Sequence, residues 1–87
     1  MLSVWKFPLA LKDEQSVRMP TGSEILTVQV QQGAIYLWAL VAPKAPLVAR
    51  TFMIFGTGDD IPDGGPALHY LGTVQQGAFV VHVFELE

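Results

Sequence analysis

The sequence predicts an all-β or β-rich domain, a small antiparallel sheet of about six strands in hairpins, open or barrel-like. Two observations predict it. Apolar runs of strand length, rich in Val, Ile, Phe, Tyr and Trp, alternate with clusters of Gly, Pro and Asp. The pentapeptide "VQQGA" also occurs twice, beginning at Val30 and at Val74, each time with a polar-apolar run before it and an apolar run after it. At 87 residues the chain has room for one core, so residues 1–87 are read as a single domain.

Taken in order, "SVWKFPLAL" is mostly apolar but contains Pro8, which cannot donate to a β-ladder, so it suits an edge strand. "KDEQSVRMPTGSE" reads as a polar connection with a turn at Pro20 and Gly22, and "DEQSVRM" within it could form one helical turn. "ILTVQVQ" alternates, which puts Ile25, Thr27, Gln29 and Gln31 on one side and Leu26, Val28 and Val30 on the other. "QQG" turns the chain, Gly33 being free to take positive φ. "AIYLWALVA" lacks a polar face and predicts a strand buried on both sides.

"PKAPLVA" is an exposed connection, "RTFMIF" a strand, and "GTGDDIPDGGP" a long loop. "ALHYLGTVQ" and "AFVVHVFELE" close the chain as a second hairpin around Gly77. The likeness of the two hairpins spreads beyond the pentapeptide. Thr27-Val28-Gln29 recurs as Thr73-Val74-Gln75, two residues out of step with the alignment of the turns, and Trp38 corresponds to His82. Duplication and convergence on good hairpin chemistry both account for this.

Composition bounds the function. The chain is 51% hydrophobic and 15% charged, where soluble domains average roughly 25% charged. That much apolar surface exceeds what so small a body buries, and it predicts a homo-oligomer whose contact resembles a divided core. A net charge of -3, with Lys6, Lys12, Arg18, Lys44 and Arg50 as the only cations besides the two histidines, excludes an extended nucleic-acid footprint. A local anion site survives, the more so where protomers bring their cations together. No cysteine is present, so disulfide and thiolate chemistry are absent. No apolar run approaches the ~20 residues of a spanning helix, and the expected setting is the cytoplasm rather than a membrane.

No motif for a cofactor or for catalysis emerges. "GTG" at Gly56-Thr57-Gly58 follows a strand but precedes acids, where a phosphate would have to sit. Asp59, Asp60 and Asp63 lack the spacing of a calcium loop and read as solvated acids, with a weak cation site as the alternative. His82 and Glu85 are an odd number of steps apart and face opposite sides of a strand, and no metal site is assigned. Neither serine chemistry nor a histidine dyad is marked, so the chain is read as a binder rather than an enzyme. The residues best suited to a small anionic ligand are Lys6, Arg18 and Arg50, with Tyr36 and Trp38 as stacking aromatics.

The segments "VWKFPL", "MPTGSEILTVQVQQGAIYLWALVAP", "RTFMIFGTGDDIP" and "LHYLGTVQQGAFVVHVFE" together resemble an uncharacterised family of small proteins encoded by tailed phages and prophages. In that family's pattern a histidine often follows "GTG", where this chain has Asp59. The resemblance implies a phage origin and a host-cytoplasm location, and brings no established activity. It makes the leading expectation an accessory protein that acts by binding, as counter-defence, by sequestering a nucleotide signal or by occluding a host immune protein. The alternative is a virion structural or assembly component.

Overall fold

Alternation of inward and outward side chains, rather than continuous burial, organises the chain. The computed structural model describes residues 1–87 and contains seven strands and no helix: β1 (Ser3–Leu9), β2 (Glu14–Pro20), β3 (Glu24–Gln31), β4 (Ala34–Val41), β5 (Leu47–Gly56), β6 (Leu68–Gln76) and β7 (Phe79–Leu86). They form two antiparallel sheets, ordered β1-β4-β3 and β2-β5-β7-β6. The all-β expectation holds, with a second sheet and one more strand than expected, and the sheets stay open instead of closing into a barrel.

The additional strand is β2. "EQSVRMP" pairs along β5 from Glu14↔Met53 to Pro20↔Leu47 instead of forming a connection or a helical turn. Its period of two is visible in burial: Gln15 and Val17 are half-buried and Met19 fully buried, while Glu14, Ser16 and Arg18 are exposed. Tertiary pairing outweighs the polar composition. The Pro8 strand, β1, lies at a sheet edge as its proline requires.

Between the sheets lies one core of Leu9, Met19, Val28, Ile35, Leu37, Phe52, Ile54, Val74, Val81 and Val83. β4 feeds it with Ile35 and Leu37, and Ala39 and Val41 on the same face are likewise at zero exposure, while Tyr36, Trp38 and Leu40 on its other face stay half-buried. The strand expected to be buried on both sides is therefore buried on one, because no third layer covers the first sheet. β3 also departs from simple alternation. A bulge between Ile25 and Thr27 resets the register, so that Ile25, Val28 and Val30 all turn to the core and Leu26 is expelled to 47% exposure.

The two hairpins repeat a device and differ by one rung. In the first, Gln31↔Ala34 closes a two-residue turn at Gln32 (φ 51°) and Gly33 (φ 79°), the signs of a type I′ turn. In the second, Gln76↔Phe79 closes the turn at Gly77 (φ 58°) and Ala78, with positive φ at the first position alone, as in type II′. The identical pentapeptide thus turns one residue later in its second copy. Between the buried pair Val28↔Leu37 lie eight residues, 29–36, and between Val74↔Val81 lie six, 75–80.

Losing one residue from each arm restores the facing, which is why Thr27-Val28-Gln29 and Thr73-Val74-Gln75 stand two residues out of step. Thr27 pairs with Trp38 as Thr73 pairs with His82. A bulge follows in both, between Ile25 and Thr27 and between Tyr70 and Gly72. Outside them, β1 pairs β4 through Lys6↔Trp38 as β5 pairs β7 through Phe55↔His82. The likeness extends to ladder, bulge and flanking strand, which convergence at the turn does not require.

β3 and β6, counterparts in this scheme, approach each other closely. Gly72 of β6 faces Val28 of β3, leaving no room for a side chain, and the Gln76 amide donates to the Gly33 carbonyl at the tip of the other hairpin (2.7 Å). The body is a plate of 41 × 34 × 16 Å. Its accessible surface of 5,502 Å² exceeds the about 5,000 Å² expected at this mass, and Leu2, Val4, Trp5, Leu11, Phe79 and Val80 remain exposed.

Candidate functional site

Strand parity places Tyr36 and Trp38 on the uncovered face of the first sheet, and the pairs Lys6↔Trp38 and Gln29↔Tyr36 bring β1 and β3 residues beside them. The two rings lie 5.8 Å apart between centroids, tilted by 58°. The Lys6 ammonium sits 4.6 Å from the Tyr36 ring centroid and donates to Gln31 Oε1 at 2.7 Å. Lys6 therefore bends back over its own sheet, from β1 across β4 to β3, its charge resting on the electron-rich face of Tyr36. Gln29 Nε2 donates to Thr27 Oγ1 (3.0 Å), which orders the amide at the rim. Of the five ligand candidates, the fold unites these three: Lys6, Tyr36 and Trp38.

Arg18 and Arg50 lie on the other sheet. Arg18 is exposed on β2, paired across to Ala49. Arg50 is fully engaged: its Nε and Nη2 donate to Glu85 Oε2 and Oε1 at 2.6 and 2.7 Å, and Nη1 donates to the Ser23 carbonyl. The fork of hydrogen bonds to Glu85 raises its pKa, against a lowering by burial and with a further rise from the Glu85 charge. Glu24, Glu85 and Glu87 line the same cleft, so an anion is repelled there. Arg50 acts as a clasp, tying β5 and β7 to the turn through which the chain passes from the second sheet to the first.

The acidic loop is likewise local in its bonding. Asp59 Oδ2 accepts from the Gly56 amide at 2.7 Å and caps the turn after β5. No group of three or more His, Asp or Glu side chains converges to hold a metal ion, and no helix is long and apolar enough to cross a membrane.

A second cluster escapes sequence reasoning. On the outer face of the second sheet, His82 Nδ1 lies 2.9 Å from Thr73 Oγ1 and His82 Nε2 lies 2.8 Å from Thr57 Oγ1, while the Tyr70 hydroxyl lies 2.5 Å from Thr73 Oγ1. This chain of hydroxyls and imidazole ties the start of loop 57–67 to β6 and β7. Phe84 stacks edge-on against both Phe55 and Tyr70, at 5.7 and 5.4 Å. Alternation does place His82 on this face and Glu85 on the other, as expected. What sequence could not supply is Thr57, which comes from another strand end. Through these bonds the arrangement braces the loop against the second sheet.

None of the surface clefts is lined by Tyr36 or Trp38, so the Lys6 face is a platform rather than a pocket. The family model described as a domain of unknown function (DUF7352) matches residues 1–87, and the chain belongs to that family. No curated protein and no solved structure matches it.

Proposed function

We propose that this member of the DUF7352 family works by binding, and that its ligand is a planar anion of the nucleotide class laid on the outer face of the first sheet. The observation that carries the reading is the convergence of Lys6, Tyr36 and Trp38 from two strands on one uncovered face. A base stacked on an exposed aromatic gains about 1–3 kcal/mol, and the Lys6 ammonium, with donors to spare beyond its bond to Gln31, meets the phosphate. The Gln29 and Gln31 amides supply edge contacts.

In the setting implied by the resemblance to phage and prophage proteins, a host cytoplasm, such binding serves counter-defence by removing a nucleotide signal without turning it over. A second reading draws on the flatness of the face: a platform without a cleft also suits a protein partner, and the same residues then occlude a host immune protein. Incorporation into the virion is the outcome that would replace both.

Trp38 reports on the first reading if Trp5 is replaced by phenylalanine. Titration of that variant with adenine and guanine nucleotides should quench Trp38 emission, and Lys6→Ala should weaken binding at least tenfold. Absence of any emission change or heat at millimolar nucleotide would end the nucleotide reading. Capture of a host protein, lost in Tyr36→Ala and Trp38→Ala, would favour occlusion, and the presence of the chain in purified particles would favour the structural role.

A further inference from the structure

We propose that the ligand of the Lys6 face is a mononucleotide with a single phosphate, its base laid on Trp38 and its phosphate held by Lys6, while Tyr36 positions the ammonium instead of stacking a base. The inference rests on the nucleotide reading above and adds to it a pose and a phosphate count.

Occupancy of the two rings sets the pose. The Lys6 ammonium lies 4.6 Å from the Tyr36 centroid, so a charge already rests on that ring, and a base stacked there would have to displace it and forfeit the cation–π attraction. Trp38 carries no such charge and is only half-buried. The rings are inclined by 58°, so one flat base cannot lie on both. The stacking floor is therefore Trp38 alone.

The ladder then places the phosphate. Lys6 and Trp38 stand directly opposite each other in the β1–β4 pairing, so the lysine stem starts beside the indole and carries its charge from there to Tyr36 and Gln31. Neighbouring rings 5.8 Å apart thus serve the two ends of the ligand, and one ribose bridges them.

Charge sets the phosphate count. An ammonium has three donors, of which one goes to Gln31 Oε1, and the remainder suffice for one phosphate group. No second cation shares the face. Arg50 is bound to Glu85, and Arg18 pairs across to Ala49 in the second sheet. Lys12 borders a cleft of that sheet with Asp13 and Asp59. Lys44 lies past Val41, at the end of β4 away from Tyr36, and Glu24, opposite Leu40, intervenes between it and the rings. Further phosphates would extend beyond the one ammonium into the field of a chain of net charge -3.

The test is titration of the whole nitrogen-15-labelled chain, read on the β1 and β4 amide shifts, with the nucleoside, monophosphate, 3′,5′-cyclic monophosphate, diphosphate and triphosphate of adenine and of guanine. A single-phosphate ligand should bind at least tenfold tighter than its nucleoside, and the tighter of the two kinds names the source, open monoester or cyclic diester. Diphosphates and triphosphates should bind no tighter. Nuclear Overhauser contacts from the base protons should fall on Trp38. Tyr36→Leu should cut single-phosphate affinity at least fivefold and leave nucleoside affinity within twofold, and Tyr36→Phe, which keeps a ring beneath the ammonium, should preserve both; circular dichroism verifies the fold of each variant. Affinity that climbs at least fivefold from monophosphate to triphosphate overturns the proposal. So does base contact with Tyr36, or a Tyr36→Leu protein that loses nucleosides as far as monophosphates, and each of these leaves the nucleotide reading standing. Shifts with no member of either series at millimolar concentration end that reading, and the proposal with it.

Discussion

Replacing Gly72 by alanine tests the close approach of β3 and β6 that locks the two sheets together. A Cβ at position 72 would stand 2.5 Å from Val28 Cγ1, against an optimal carbon-carbon separation of ~3.5–4.0 Å. One side must move by more than about 1 Å. Val28 is 3% exposed and packed within the core, and a β-branched side chain has few alternative rotamers. Overpacking of this kind costs about 1–3 kcal/mol. The sign is informative because an unstrained Gly→Ala change within a strand should instead stabilise by about 0.5–1 kcal/mol.

With ~2.1 cal/mol/K of unfolding entropy per residue, a net cost of about 2 kcal/mol lowers Tm by about 11 °C. Thermal unfolding followed by circular dichroism at fixed protein concentration measures this. Val28→Ala removes the opposing methyl groups, so the double variant should be less destabilised than the sum of the singles by about 1 kcal/mol or more. A Gly72→Ala protein that melts at or above the wild-type temperature would refute the reasoning, and additive effects in the double variant would place the strain elsewhere.

Arg50→Met leaves the Glu85 carboxylate and the Ser23 carbonyl without their donor and should cost about 2 kcal/mol, with part recovered in Arg50→Met/Glu85→Leu, read by urea unfolding. The raised Arg50 pKa means that the guanidinium's contribution is fully present below its ordinary value and is lost only as pH climbs beyond it, so the Arg50→Met deficit should not shrink between pH 7 and pH 10. Gly33→Val and Gly77→Val each force a β-branched residue to positive φ and should lose about 1 kcal/mol or more; unchanged melting in both would contradict the hairpin turns. Thr57→Val removes the hydroxyl bonded to His82 Nε2, and faster amide exchange in loop 57–67, without change in β1 or β4, should follow.

What was legible in the sequence were the features governed by neighbours along the chain. Glycines with turn-compatible partners marked both hairpins, and a period of two separated His82 from Glu85. β2 was obscured because Glu14, Ser16 and Arg18 give its outward side the look of a connection, while its inward Met19 gains its place only from Phe52 and the rest of a core assembled elsewhere. The bulge at Leu26 is imposed by pairing with β4 and leaves no local signature. Arg50 offered itself as an anion ligand because Glu85, thirty-five positions away, is invisible beside it. Lys6 offered itself for its charge alone, and its neighbours Tyr36, Trp38 and Gln31 follow from the strand order β1-β4-β3, which the sequence does not display.

The one-rung difference between the hairpins sets how this chain can change length. Each arm alternates core and solvent side chains, so a residue added or lost on one arm alone turns everything beyond it inside out. A change of two, one per arm, with the turn displaced by a residue to suit, leaves every side chain on its former face. The molecule already contains both settings, one with Gln32 and Gly33 at the turn and the other with Gly77 and Ala78. Insertions and deletions in these arms are thus quantised in pairs, and a bulge is the only place where an odd residue can be absorbed.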